Sequence, residues 1–131
     1  MLTALTILDD AFGVWAQVST SLPTKQVRPQ RFVRVSRVGG GQGDPATDTA
    51  RLLVECFGPD TATVEAMCNT ARAALRNARG ITVNCHYASG DVVEVFVRSW
   101  DGEQGPVDFP HPDILDRERW QFHGDFAVKA N

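Results

Sequence analysis

The chain reads as an α+β domain. A mostly antiparallel sheet of four to five strands carries an N-terminal helix and a central helix packed on it, in the order α-β-β-α-β-β. Three stretches predict this. Thr49-Ala50-Arg51-Leu52-Leu53-Val54-Glu55-Cys56-Phe57 alternates like a strand, breaks at Gly58-Pro59-Asp60 and runs into a small-residue helix ending near Arg79-Gly80. The C-terminal stretch places Trp120, Phe122, Gly124, Phe126 and Val128 on one side and Arg119, Gln121, His123, Asp125 and Lys129 on the other, a period of two. The N-terminal stretch instead repeats every three to four residues.

At the N-terminus, Leu5, Leu8, Phe12 and Trp15 form one helical stripe, and Ala4, Ile7, Ala11, Val14 and Val18 form a second beside it. The spacing predicts a helix over residues 3–19. So wide an apolar arc fits a helix well buried in its own domain, and equally one that also meets another subunit. Leu22-Pro23 ends it, and residues 32–38, Phe-Val-Arg-Val-Ser-Arg-Val, have the composition of a first strand. Gly39-Gly40-Gly41-Gln42-Gly43-Asp44-Pro45 then predicts a long mobile hairpin loop reaching Asp48, because glycine at this density sustains neither helix nor ladder.

In the second strand Leu52, Val54 and Cys56 take the core side, and Arg51, Leu53, Glu55 and Phe57 the other. Asp60 is placed to cap the central helix, whose buried stripe is Val64, Met67, Cys68, Ala71, Ala74, Leu75 and Ala78. Its opposite face gathers Glu65, Asn69, Arg72, Arg76 and Arg79. Those arginines read either as a solvated face near the negative end of the helix dipole or as partners for carboxylates of a neighbouring subunit. Residues 81–87 and 92–98 predict two strands joined by the Ser89-Gly90-Asp91 turn as a hairpin. The stretch 101–113, with three prolines and two glycines, predicts a surface loop anchored by Phe109.

At 131 residues the chain is long enough for one domain with its own core. A net charge of −3 supplies no field for gripping nucleic acid. Cys56, Cys68 and Cys85 form an odd set without Cys-x-x-Cys spacing, so they read as small buried apolar groups and not as a disulfide framework or zinc site. The first residues lack a basic region and meet Asp9 and Asp10 before any apolar run could span a bilayer, which points to a cytoplasmic protein.

Catalytic chemistry is not written in these residues. The glycine-rich stretch lacks the Lys-Ser/Thr of a phosphate loop and is followed by a strand. His86, His111 and His123 are isolated, and Cys85-His86 are strand neighbours that point to opposite faces. No metal, cofactor or catalytic residue is expected.

Taken together, several short patterns resemble one family. They are Arg34-Val35-Ser36-Arg37-Val38-Gly39-Gly40, the strand from Asp48 to Cys56, the Ala-rich helix ending near Arg79-Gly80, the run Gly105-Pro106-Val107-Asp108-Phe109-Pro110-His111-Pro112-Asp113, and the closing Arg119-Trp120-Gln121-Phe122. With the element order, they resemble the tail terminator (tail completion, minor tail) proteins of long-tailed bacteriophages, especially those infecting actinobacteria. The similarity is spread over most of the chain.

The resemblance implies a virion protein that assembles in the host cytoplasm as a ring, commonly a hexamer, at the head-proximal end of the tail. Such a ring caps the tail tube, ends tube polymerisation and offers a joining surface to a head completion or connector protein, while DNA only passes through its lumen. Its partners would be copies of itself, the tail tube protein and the connector, with no membrane. On that reading Arg72, Arg76, Gly40, Gly41, Gln42, Asp44 and Phe109 belong to contacts with a neighbouring subunit or the tube. Two other readings compete. In one, a small-molecule-binding or regulatory α+β domain encloses a pocket lined by Trp100, Trp120 and Phe122. In the other, a small enzyme uses His86 or His123 as a base.

Overall fold

A computed structural model describes residues 1–44 and 46–130, the side chains of 42–44 excepted. The elements run α1 (Leu2–Phe12), β1 (Gln17–Ser19), β2 (Phe32–Asp44), β3 (Thr47–Gly58), α2 (Thr61–Asn77), β4 (Thr82–His86), β5 (Val92–Asp108) and β6 (Glu118–Lys129). Among the described residues six strands form one mixed sheet in the order β1-β2-β3-β6-β5-β4. Both helices cover one face of it. The α+β class holds, but the order is α-β-β-β-α-β-β-β and not α-β-β-α-β-β, with six strands where four to five were expected: β1, too short to leave a periodicity, pairs with β2 in parallel, and β6 follows the β4–β5 hairpin.

The first helix is shorter than the predicted 3–19. It stops at Gly13, where φ of 55° releases the chain from helical geometry. The chain then turns back to build β1. Leu8 and Phe12 are buried, as their stripe requires, but Ala11 and Val14 of the second stripe are exposed. The apolar arc is therefore split between core and surface.

The central helix follows its sequence closely. Asp60 accepts a hydrogen bond from the Thr63 N–H at 2.8 Å, satisfying one of the donors that a helix start leaves open. Val64, Met67, Cys68, Ala71 and Leu75 are buried against Val54 and Cys56 of β3 and Phe122 and Phe126 of β6. Gly58, at the strand-to-helix break, lets Val64 approach so closely that a Cβ there would sit 2.9 Å from its Cγ2. All three cysteines are buried, as predicted. A hydrogen bond to Cys68, with burial, pushes the Cys56 thiol well above its usual range, which leaves it unreactive.

Two expected loops turn out to be strand. The glycine run continues β2, with Gly39, Gly40 and Gly41 opposite Arg51, Ala50 and Thr49. Its partner strand supplies the β-forming residues that the glycines lack, since β3 is held along its whole length by β6. Gly40, at φ 96°, absorbs the irregularity, and a Cβ on it would collide with the Thr49 carbonyl oxygen. In the same way residues 101–108 continue β5 along β6, with register breaks that accommodate Gly102 at φ 65° and Gly105 at φ 102°. Only residues 109–117 loop out. The predicted hairpin of residues 81–98 is present, with Thr82 opposite Phe96 and His86 opposite Val92.

The sheet face away from the helices is not simply solvated. Phe57 and Glu55 of β3 are buried there, the first stacked on Phe32 at 4.5 Å between ring centroids and covered by Ile114. The expectation that only one face of β3 meets a core fails because the 109–117 loop folds back over the other.

Candidate functional site

Three carboxylates among the described residues bind arginine pairs: Asp116, held by Arg28 and Arg117, is more than half exposed, whereas Glu55 and Glu103 are largely buried. On the sheet face away from the helices, Glu55 receives Arg34 Nε on Oε1 at 2.7 Å and Arg119 Nη1 on Oε2 at 2.7 Å. Glu55 and Arg119 are almost fully buried, while Arg34 is about a quarter exposed. Arg119 also donates to the Phe109 carbonyl at 2.6 Å, and its guanidinium lies 5.2 Å from the centroid of the Phe109 ring. The Phe109 N–H in turn donates to the Arg119 carbonyl at 3.0 Å.

Phe109, expected to anchor a loop, therefore does so through its backbone and its ring face, with much of the ring still open to solvent. Two further links hold the 109–117 loop against residues 28–29. Arg28 pairs with Asp116 at 3.2 Å, and Arg117 donates to the Pro29 carbonyl at 3.3 Å.

The second largely buried carboxylate, Glu103, projects from a bulged part of β5 toward α2. Its Oε2 accepts from Arg72 at 2.8 Å and also from Arg76, and its Oε1 accepts from Trp100 Nε1 at 3.0 Å. Burial opposes its ionisation and is the largest single influence. The hydrogen bonds from Arg72, Trp100 and Arg76 together outweigh it and hold the carboxyl below its ordinary range. Arg72 and Arg76 thus find their carboxylate within the chain. Helical spacing alone showed that they share a face. It could not show that a residue 27 positions beyond Arg76 would reach them.

Other expected site residues separate in space. Gly40 and Gly41 lie on β2 at the sheet margin, remote in the strand order from Glu103 on β5. The side chains of Gln42 and Asp44 lie outside the described residues. Two of the three rings expected to line a pocket pack on each other instead: Trp100 meets Phe122 edge-on at 6.1 Å, both are buried in the core, and Trp120 packs half-buried against the same core. Gly124 makes the room, since a Cβ on it would lie 2.5 Å from the Trp100 ring.

His86 stands exposed on the marginal strand β4, and His123 lies on β6 opposite Leu53 and Gln104. Open depressions of about 290 to 440 Å³ mark the surface, and neither histidine lines them. Among the described residues no group of three or more His, Cys, Asp or Glu is placed to hold a metal, and no helix is long and apolar enough to cross a membrane.

No family model matches the chain, and no curated protein matches it. Among solved structures, a chain of the virion of a native gene transfer agent particle aligns with 94% of this chain and 84% of its own, at 14% identity and a TM-score of 0.47. A likeness of that size carries no argument about what this chain does.

What the fold itself offers is surface. Large apolar side chains stand exposed at Val14, at Val27 and Leu115, at Val38, on the β4–β5 hairpin at Ile81, Tyr87, Val92 and Phe96, and at Val107 and Phe109.

Proposed function

We propose that this chain is a structural virion protein that forms a ring, a hexamer on the family resemblance, on the end of a phage tail tube. The ring stops tube polymerisation and presents a joining surface to the head connector, and no bond is made or broken in doing so. The observation that supports this reading is the distribution of exposed apolar side chains over several separate regions. A ring subunit needs two unlike lateral surfaces for its neighbours and further surfaces above and below. A binding domain or small enzyme needs one concave site, and two of the three aromatic residues that offered one, Trp100 and Phe122, are packed into each other.

Within this reading Arg72 and Arg76 support the subunit from inside, by tying α2 to β5. Phe109, Gly40 and Gly41 remain on the surface as contacts for a neighbour or the tube. The test is a polymerisation assay with the tail tube subunit of the same phage, read by electron microscopy. Added protein is expected to give tubes ending in a ring and to lower their mean length. Tubes that grow past the protein unchanged, with no density at their ends, would refute the reading.

A further inference from the structure

The sheet has two unpaired margins, and they differ in a complementary way. On one side β1 covers only Phe32–Arg34 of β2, so no strand among the described residues pairs with residues 35–41 on the side away from β3. On the other side β4 is the last strand. Hydrogen bonds between Val97 N–H and the Ile81 carbonyl, and between Tyr87 N–H and the Asp91 carbonyl, fix the alternation of the β4–β5 ladder. Odd-numbered residues of β4 bond inward to β5. Thr82, Asn84 and His86 therefore turn their backbone N–H and C=O groups outward, and all three are exposed. The Gln17–Arg31 bond fixes the parity of β2 in the same manner and turns Val35 and Arg37 outward.

Charge and greasiness divide between the two margins. Of the three arginines in residues 31–41, Arg34 is committed to Glu55 and Arg31 donates to the Trp15 carbonyl, while the exposed Arg37 holds Asp48 only loosely, at 3.9 Å, and is the charge this margin offers; residues 80–97 hold Asp91 and Glu94 and no lysine or arginine. Four of the exposed large apolar side chains, Ile81, Tyr87, Val92 and Phe96, crowd onto the β4–β5 hairpin, and Val38 stands exposed at the β2 bulge. Open edges of this kind are normally blunted with charge or proline. Neither occurs in β4, and β2 runs through Gly39, Gly40 and Gly41, which let another backbone come close.

We propose that the β2 margin of one copy, at residues 35–41, pairs with β4 of the next copy, so that the sheet continues from subunit to subunit. The contact is heterologous, because it joins two different surfaces, and it closes into a ring when the rotation between copies divides a full turn. It rests on the ring reading above and adds to it the strands that make the ring.

Paired cysteines test it. Ser36 and the three outward residues of β4 lie on the sheet face away from the helices, Ser36 by its pairing with Leu53 and the others by alternation with the buried Cys85. Within one chain β2 and β4 are four strand spacings apart, roughly 19 Å, whereas a disulfide requires Cα atoms within about 7 Å. A covalent ladder beyond the dimer can arise only from bonds that join copies.

Ser36→Cys is combined in turn with Thr82→Cys, Asn84→Cys and His86→Cys, so that the register is sampled, and each protein is oxidised. At least one combination is expected to give a covalent ladder beyond the dimer, while each single variant stops at the dimer. In parallel, Asn84→Pro removes one outward N–H and is expected to weaken self-association about tenfold, the effect of one lost interface hydrogen bond, with the circular dichroism spectrum unchanged. An oligomer that ladders in no combination and ignores Asn84→Pro overturns the edge pairing and leaves the ring reading standing. A protein that stays monomeric at every concentration, alone and with tubes, overturns both.

Discussion

Glu55 and Glu103 each hold two arginines, yet they sit in different solvents. Glu55 lies on the sheet beneath a folded-back loop, and its Arg119 partner is 7% exposed. Glu103 bridges a helix and a bulged strand at the rim, and its Arg76 partner is 53% exposed. The same guanidinium–carboxylate chemistry therefore has different consequences. Inside, the charges are committed to one another because water cannot replace a lost partner, whereas at the rim it can. The inner pair fixes where the 109–117 loop sits, and the outer one fastens α2 to β5.

The largest effect is expected at Glu55. Changing Glu55→Ala leaves the buried Arg119 guanidinium without its carboxylate, with only the Phe109 carbonyl to accept from it, and should cost about 3–5 kcal/mol in chemical denaturation. Replacing Glu55→Leu together with Arg119→Met should recover most of that loss, because the two most buried charges go together and the remaining Arg34, about a quarter exposed, can turn to water. Failure to recover would show that the loop contact through Phe109, and not charge burial, dominates.

Next comes Gly124→Ala, which forces a methyl group against the Trp100 ring and should cost about 1–3 kcal/mol. Because Trp100 also donates to Glu103, this variant should weaken the outer cluster and leave the inner one intact. Tryptophan fluorescence would report the shift.

Glu103→Gln should cost less, about 1 kcal/mol, since its arginines can turn to water. It carries a pH signature. The folded carboxyl titrates below its ordinary value, so its contribution is complete at neutral pH. That contribution falls away as pH drops below the unfolded glutamate value of about 4.3 and through the lower folded one. The difference in stability between wild type and Glu103→Gln should therefore shrink over that window, and a constant difference would exclude a charge effect. The smallest effect belongs to Arg51→Ala: its 3.0 Å pair with Asp125 is solvated, and the melting temperature should not move.

Legibility differed among the elements for a physical reason. The stripe of α2, its Asp60 cap and the alternation of β6 could be read because each depends on residues within one element. The glycine run of β2 and residues 101–108 of β5 look like loops in the sequence because their strand character comes from neighbours. Isolated, they have weak β propensity, and laid along β3 and β6 they have ladders. β1 owes its three residues entirely to β2. As for the candidate site, the sequence marked Arg72, Arg76 and Phe109 but neither carboxylate as a hub. A signal for one was present, since a charge inside Leu53-Val54-Glu55-Cys56-Phe57 demands a partner if both sides of the strand are covered.

The sequence by itself determined the α+β class, the strand–turn–helix unit around Gly58-Pro59-Asp60, the burial of the cysteines and which side of β6 faces the core. These follow from periodicity and from local hydrogen bonding, which act over a few residues. Only the tertiary structure decided which carboxylate each arginine meets, that the 109–117 loop closes over Glu55, and which strand edges stay open. Those outcomes join residues 21 to 88 positions apart. They depend on how strands line up in space, which no local pattern encodes.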